Sequence, residues 1–139
     1  MANFVRAFLP GYSLATDSGA DGYTRSVILS RYPIAHSKSW LARTNLAAFG
    51  YNGPFTRDLF EAEIEVPGFA QPVQVFTTHL KSGEVSSADS QHWVAEASAI
   101  SNFFVTVFLP INPAPYVLTG DLNEDVQYPP YSNYLRCRN

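Results

Sequence analysis

Residues 60–66 alternate without interruption, with Phe60, Ala62, Ile64 and Val66 set against Glu61, Glu63 and Glu65. In an extended chain a period of two puts each set on its own face, so this stretch predicts a half-buried strand. Pro67-Gly68 breaks it, and Val73, Val75 and Thr77 then alternate with Gln74, Phe76 and Thr78 up to His79. Two such runs joined by turn residues predict a hairpin. A symmetric turn sets Val66 opposite Val73, Ile64 opposite Val75 and Phe60 opposite His79. That register gathers the aliphatic side chains on one face. It also brings Arg57 beside the residues just after His79. The three glutamates read as one solvated face, not as a metal site.

Residues 88–107 predict a helix, because Trp93, Ala97, Ile100, Phe104 and Val107 recur at helical steps and form one apolar stripe. Tyr116 to Thr119 predicts a strand that stops at Gly120 and delivers Asp121 and Asn123. These two lie on the same side if the chain stays extended. Upstream, residues 3–9 predict a short helix ended by Pro10-Gly11, and Tyr12 to Thr16 a short strand. Asp17 to Gly22 predicts a turn-rich loop, and Ser26 to Ser30 a stronger strand. Residues 35–57 read mostly as loop with one strand near 39–46. The Tyr- and Pro-rich tail after Asp125 gives no clear element. Several strands with one long helix imply a layered α+β arrangement.

The 139 residues suit one domain, and a 46% hydrophobic share suits a packed core. Nine Lys and Arg against twelve Asp and Glu leave a formal net charge of -3. Nonspecific binding to duplex DNA needs a cationic surface, so that class of function is excluded. Cys137 is the only cysteine, which rules out an intramolecular disulfide and a thiolate zinc cluster within the chain. Residues 1–10 are too short and interrupted for a secretory signal. No apolar run approaches the ~20 residues needed to span a membrane. The sequence reads as soluble and leaves the compartment open.

Three features could carry chemistry: Asp121 with Asn123 behind a strand, His79 at a strand end, and Arg57. Each has a plain alternative. Gly-Asp-x-Asn also makes a capped turn. A strand-end histidine also serves as a structural hydrogen-bonding group, and an arginine beside Asp58 is also an ordinary surface charge. Their order along the chain adds information. Ser-Val-Ile-Leu-Ser-Arg-Tyr-Pro-Ile (26–34) comes first and Phe-Thr-Arg-Asp (55–58) opens a strand. Phe-Thr-Thr-His-Leu-Lys-Ser-Gly (76–83) closes the next. A helix with Val-Ala-Glu-Ala (94–97) leads to Val-Leu-Thr-Gly-Asp-Leu-Asn (117–123).

This order resembles the endonuclease/exonuclease/phosphatase superfamily over about residues 10–126. The resemblance implies part of a two-sheet αββα sandwich, mostly antiparallel, and hydrolysis of phosphate esters with Mg²⁺ or Mn²⁺. By motif, Asp121 would orient or activate the water and Asn123 would contact a phosphoryl oxygen. These two would also be the metal ligands here. His79 would hydrogen-bond the phosphate or protonate the leaving group, and Arg57 would hold a phosphate oxygen. The substrate class stays open among nucleic acid, a phospholipid headgroup and a small phosphate ester. The family's Gln-Glu near the start and its closing Asp-His are missing, and His92-Trp93 stands where the helix often has an arginine. Residues 1–139 are therefore expected to form a truncated domain without the first and last strands. Such a piece would be inactive alone and prone to self-association through exposed sheet edges. The competing reading is a non-catalytic interaction module or inert remnant.

Overall fold

The computed structural model describes residues 1–17, 23–83, 86–112 and 114–123. Most of the expected 17–22 loop, the tail and Cys137 lie outside them. A four-stranded sheet has the order β3(Ile34–Ser39)-β4(Leu59–Ile64)-β5(Val73–His79)-β6(Tyr116–Asp121). β4 runs antiparallel to both of its neighbours, β3 and β5, and β6 lies parallel to β5. The connection from β5 to β6 runs through α2 (Ser87–Phe103), since parallel neighbours require a crossover. A second sheet pairs β1 (Ser13–Thr16) with β2 (Val27–Ser30). The short helix α1 (Ala2–Phe8) precedes it.

Two cores lie on opposite faces of the large sheet. Phe60, Ala62 and Ile64 of β4 pack with Ala15 and Ile28 of the small sheet. Leu59, Phe76 and Leu80 pack with Trp93, Ile100, Phe103 and Phe104 of the helix layer. The result is helix on sheet on sheet, three of the four layers of an αββα sandwich, as the α+β reading expects. Ser86 caps α2: its hydroxyl accepts from Asp89 N at 3.2 Å and donates to Asp89 Oδ2 at 2.7 Å. The serine bond comes first, and Lys81 second, in holding the Asp89 carboxyl below the ordinary value.

Four expectations need correction. The hairpin pairs Ile64 with Val73, Ala62 with Val75 and Phe60 with Thr77, a slip of two residues from the symmetric register. A slip of two preserves the face of every side chain, which is why the core set was right and the partners were not. The strand expected near 39–46 lies at Ile34–Ser39 instead, a mostly exposed edge strand with an irregular register between Ile34 and His36. Its polar His-Ser-Lys-Ser run gives no alternation because neither face is covered. Glu61 is not solvated but 4% exposed. Its Oε2 accepts from Trp40 Nε1 at 2.6 Å, beneath the helix layer. Burial, opposed by the Trp40 bond, pushes its carboxyl above the ordinary value.

The fourth correction concerns the helix stripe. Trp93, Ala97, Ile100 and Phe104 are buried, but Val107 is 39% exposed and Phe108 takes its place. The last turn, Phe104–Phe108, is a π-helix, closed by Leu109 N to Phe104 O at 2.9 Å. A π turn holds more residues than an α turn, so the inward position after Phe104 comes four residues later. Phe76, Phe103, Phe104 and Phe108 then meet with ring centroids 4.9 to 6.2 Å apart.

Candidate functional site

Parallel pairing of β5 and β6 sets His79 beside Asp121 in register, and parallel partners project to the same face. His79 Nε2 lies 3.9 Å from Asp121 Oδ2, with both side chains more than a third exposed. Gly120 makes this approach feasible. Its φ is +137°, and a Cβ there would stand 1.9 Å from the Thr78 carbonyl oxygen. The strand therefore runs through Gly120 to Asp121 and does not stop at the glycine as expected, and the strand pairing itself demands a glycine there.

The Gly-Asp-Leu-Asn sequence forms a turn as well. Asp121 Oδ1 accepts from Asn123 N at 3.0 Å, and Asn123 takes a left-handed φ of 58°. The chain is therefore not extended here, and Asn123 does not simply repeat the direction of Asp121. Its Nδ2 donates to Leu80 O at 2.6 Å. Leu122 O accepts from Trp93 Nε1 at 2.7 Å, which ties the turn to α2.

Arg57 reaches the same corner from the loop before β4. Its Nη1 donates to His79 O at 3.2 Å and Leu80 O at 3.3 Å, and its Nε donates to Thr24 Oγ1 at 3.1 Å. It braces the end of β5 against the segment before β2. All four residues named from the sequence thus meet at one end of the large sheet. A cleft of about 200 Å³ opens there, lined by Thr24, Arg25, Arg57, Thr77, His79 and Asp121 among others. Arg25, Arg57, His79 and Asp121 thus line one cleft. Beneath it, Asp58 is fully buried, with Oδ1 accepting from Leu41 N at 2.9 Å. Burial is the main cause that holds the Asp58 carboxyl above its ordinary value, and the charge of Asp17 adds to it.

Sequence reasoning missed Glu96 and Arg25. Glu96 is fully buried, and its oxygens accept from Thr56 N and Lys81 N, both at 2.7 Å. The signal was available, since a carboxylate sits one residue from the apolar position Ala97 on the buried side of a helix. His92 was set aside, yet it is also buried, stacks on Tyr51 at 3.9 Å and approaches Glu96 Oε1 to 3.2 Å. Arg25 lies in an exposed stretch whose sequence carries no periodicity.

Asp121 and Asn123 do not make a metal centre by themselves. Among the described residues no three His, Cys, Asp or Glu side chains converge on a point where a cation could sit. One Asp121 oxygen is engaged by Asn123 N, and the Asn123 amide nitrogen is tied to Leu80. Octahedral Mg²⁺ needs more oxygen donors than this pair offers.

No protein-family model matches the chain, and no curated protein matches it. Two solved structures do. One is a β-hairpin deletion mutant of beta toxin from Staphylococcus aureus, with TM-score 0.57 and 23% identity over 78% of this chain and 38% of that one. The other is sphingomyelinase C from Streptomyces griseocarneus, with TM-score 0.56 and 19% identity over 78% of this chain and 36% of that one. The chain thus spans less than two fifths of either structure's length. The helix layer, the two sheets and the β5–α2–β6 crossover together give this chain a deoxyribonuclease-like fold, the fold of these two solved structures.

Proposed function

We propose that the cleft at the ends of β5 and β6 holds a phosphate ester, and that the chain is the phosphate-handling part of a phosphoester hydrolase. The observation that carries this reading is the 3.9 Å separation of His79 Nε2 and Asp121 Oδ2 in a cleft lined by two arginines. That gap exceeds a direct hydrogen bond, so one small ligand can touch both groups. His79 donates to a phosphoryl oxygen and protonates the departing oxygen. Asp121 Oδ2 orients the attacking water and takes up its proton. The second N–H of the Asn123 amide, the one not given to Leu80 O, donates to a phosphoryl oxygen, and Arg57 adds charge and rigidity. Similarity to an enzyme named for sphingomyelin, a phosphodiester, favours a phospholipid headgroup among the three open substrate classes.

Mg²⁺ or Mn²⁺ enters this reading by resemblance alone. Asp121 and Asn123 are its proposed ligands, and further ligands must come from outside the described residues. Turnover by this chain alone therefore stays at background. Losing one preorganised electrostatic partner commonly costs ~10²–10³ in rate, and more than one is missing. This incompleteness also favours a second reading, a binding module without catalysis.

Thermal shift tests binding and hydrolysis tests catalysis. Saturating dimethyl phosphate raises the melting temperature of the wild type and not of His79→Ala, because a ligand stabilises only the state that binds it. Bis-p-nitrophenyl phosphate with Mg²⁺ or Mn²⁺ shows no turnover. Equal shifts in both proteins would remove the cleft from the account. Turnover lost in Asp121→Ala would show that the chain completes its own catalytic site.

A further inference from the structure

We propose that Glu96 is the positioning residue of the cleft, a buried clasp that sets Arg57 and Asn123 in place through backbone atoms. This rests on the reading of the cleft as a phosphate site and names a residue that the reading does not require. Glu96 is fully buried on α2 and is not among the residues that line the cleft. Its Oε1 accepts from Thr56 N and its Oε2 from Lys81 N, each at 2.7 Å. Those residues immediately precede Arg57 and follow Leu80. Leu80 O in turn accepts from Arg57 Nη1 at 3.3 Å and from Asn123 Nδ2 at 2.6 Å. One carboxylate thereby holds together the loop before β4, the end of β5 and, through Leu80, the turn after β6.

A buried carboxylate is expensive unless each oxygen is bonded, and here both are. His92 completes the arrangement. Its Nε2 lies 3.2 Å from Glu96 Oε1, from Pro54 O and from Thr56 Oγ1. The first two are acceptors only, so Nε2 must carry a proton in either charge state. Stacking on Tyr51 at 3.9 Å fixes the ring plane. The positions of Arg57 and Asn123 are therefore set by α2, on the opposite face of the sheet from the cleft. A site of this kind tolerates misplacement of only about half an ångström.

The test is read by nuclear magnetic resonance on the whole chain. In the wild type, the amide nitrogens of Thr56 and Lys81 show scalar couplings across hydrogen bonds to the Glu96 carboxyl carbon, and the His92 nitrogen shifts report the Nε2-protonated form. Glu96→Gln keeps the shape but turns one oxygen into an N–H donor that faces another donor. The Arg57 Nε–H and Asn123 Nδ2–H signals then move, and affinity for dimethyl phosphate falls about tenfold or more. Phe108→Leu, which loosens the core without touching these loops, leaves both signals in place. Absent couplings in the wild type overturn the inference even if Glu96→Gln does not fold. So does a Glu96→Gln protein with unmoved signals, or a Phe108→Leu protein that moves them equally. A wild type that binds no phosphate but shows the couplings and signal shifts would defeat the proposed function and leave Glu96 as the clasp.

Discussion

Gly120→Ala should cost this protein far more than a surface methyl group normally would. Position 120 is exposed, yet an added Cβ would lie 1.9 Å from Thr78 O and 2.9 Å from the Thr78 carbonyl carbon and nitrogen. Ordinary C···O contacts begin near ~3.3 Å, so β6 must retreat by roughly 1.4 Å from β5. The opposing atoms are backbone and cannot swing aside. A non-glycine residue at this φ of +137° carries about 1–3 kcal/mol of strain. Overpacking adds about 1–3 kcal/mol. The sum, ~2–6 kcal/mol, corresponds to a fall in Tm of roughly 6 °C or more for a domain of this size. Circular dichroism melts and urea midpoints read it, with Thr119→Ala, an exposed neighbour, expected to stay within about 0.5 kcal/mol. Loss of the Thr78–Gly120 pairing should also part His79 from Asp121, so phosphate binding falls with stability. A Gly120→Ala protein that melts within 2 °C of the wild type, roughly half a kcal/mol, would show that the β5–β6 approach is not as close as the argument requires.

Three further outcomes follow from the structure. Phe108→Ala should lose about 3–5 kcal/mol by urea unfolding, whereas Val107→Ala should lose less than about 1 kcal/mol; the reverse order would deny the π turn. Glu61→Gln keeps an acceptor for Trp40 and removes a carboxyl whose folded pKa is raised by burial. The unfolded chain then ionises first, so wild-type stability declines as pH rises above the ordinary value of 4.5. The advantage of the variant should grow between pH 4 and pH 7, and an advantage that shrinks would reverse the sign of the argument. Among the described residues β6 is an outer strand of the sheet, with Tyr116 and Val117 38% and 51% exposed, so sedimentation should show concentration-dependent self-association that Val117→Lys reduces. Monomers at every concentration would count against it.

The parts of the fold that the sequence disclosed are those where polarity alternates along a strand or apolar residues recur at helical steps. β4, β5 and α2 carry clean periods, and their positions were readable to within a residue or two. β3 carries none, because an edge strand with few covered side chains puts no constraint on His36, Ser37 or Lys38. Register was less visible than face, since pairings that differ by two residues look alike from either strand and the turn at 65–72 decides between them. Glu61 misled for a related reason: alternation says which residues share a face, not whether a second layer covers that face. The corner residues His79, Asp121, Asn123 and Arg57 were legible because each stands where a strand ends. Glu96 was legible only as a carboxylate on the buried side of a helix, not by its role, because its partners are backbone amides and these leave no mark on the sequence.

The central claim is that the ends of β5 and β6 form a phosphate-ester site, and chemical-shift mapping with dimethyl phosphate tests it most directly. Saturable shifts are expected at His79, Asp121 and Arg57 and at Thr24 to Ser26 across the cleft. His79→Ala should abolish them without altering the fold. Saturable shifts elsewhere, or none at any concentration that leaves the protein soluble, would contradict the assignment of this cleft.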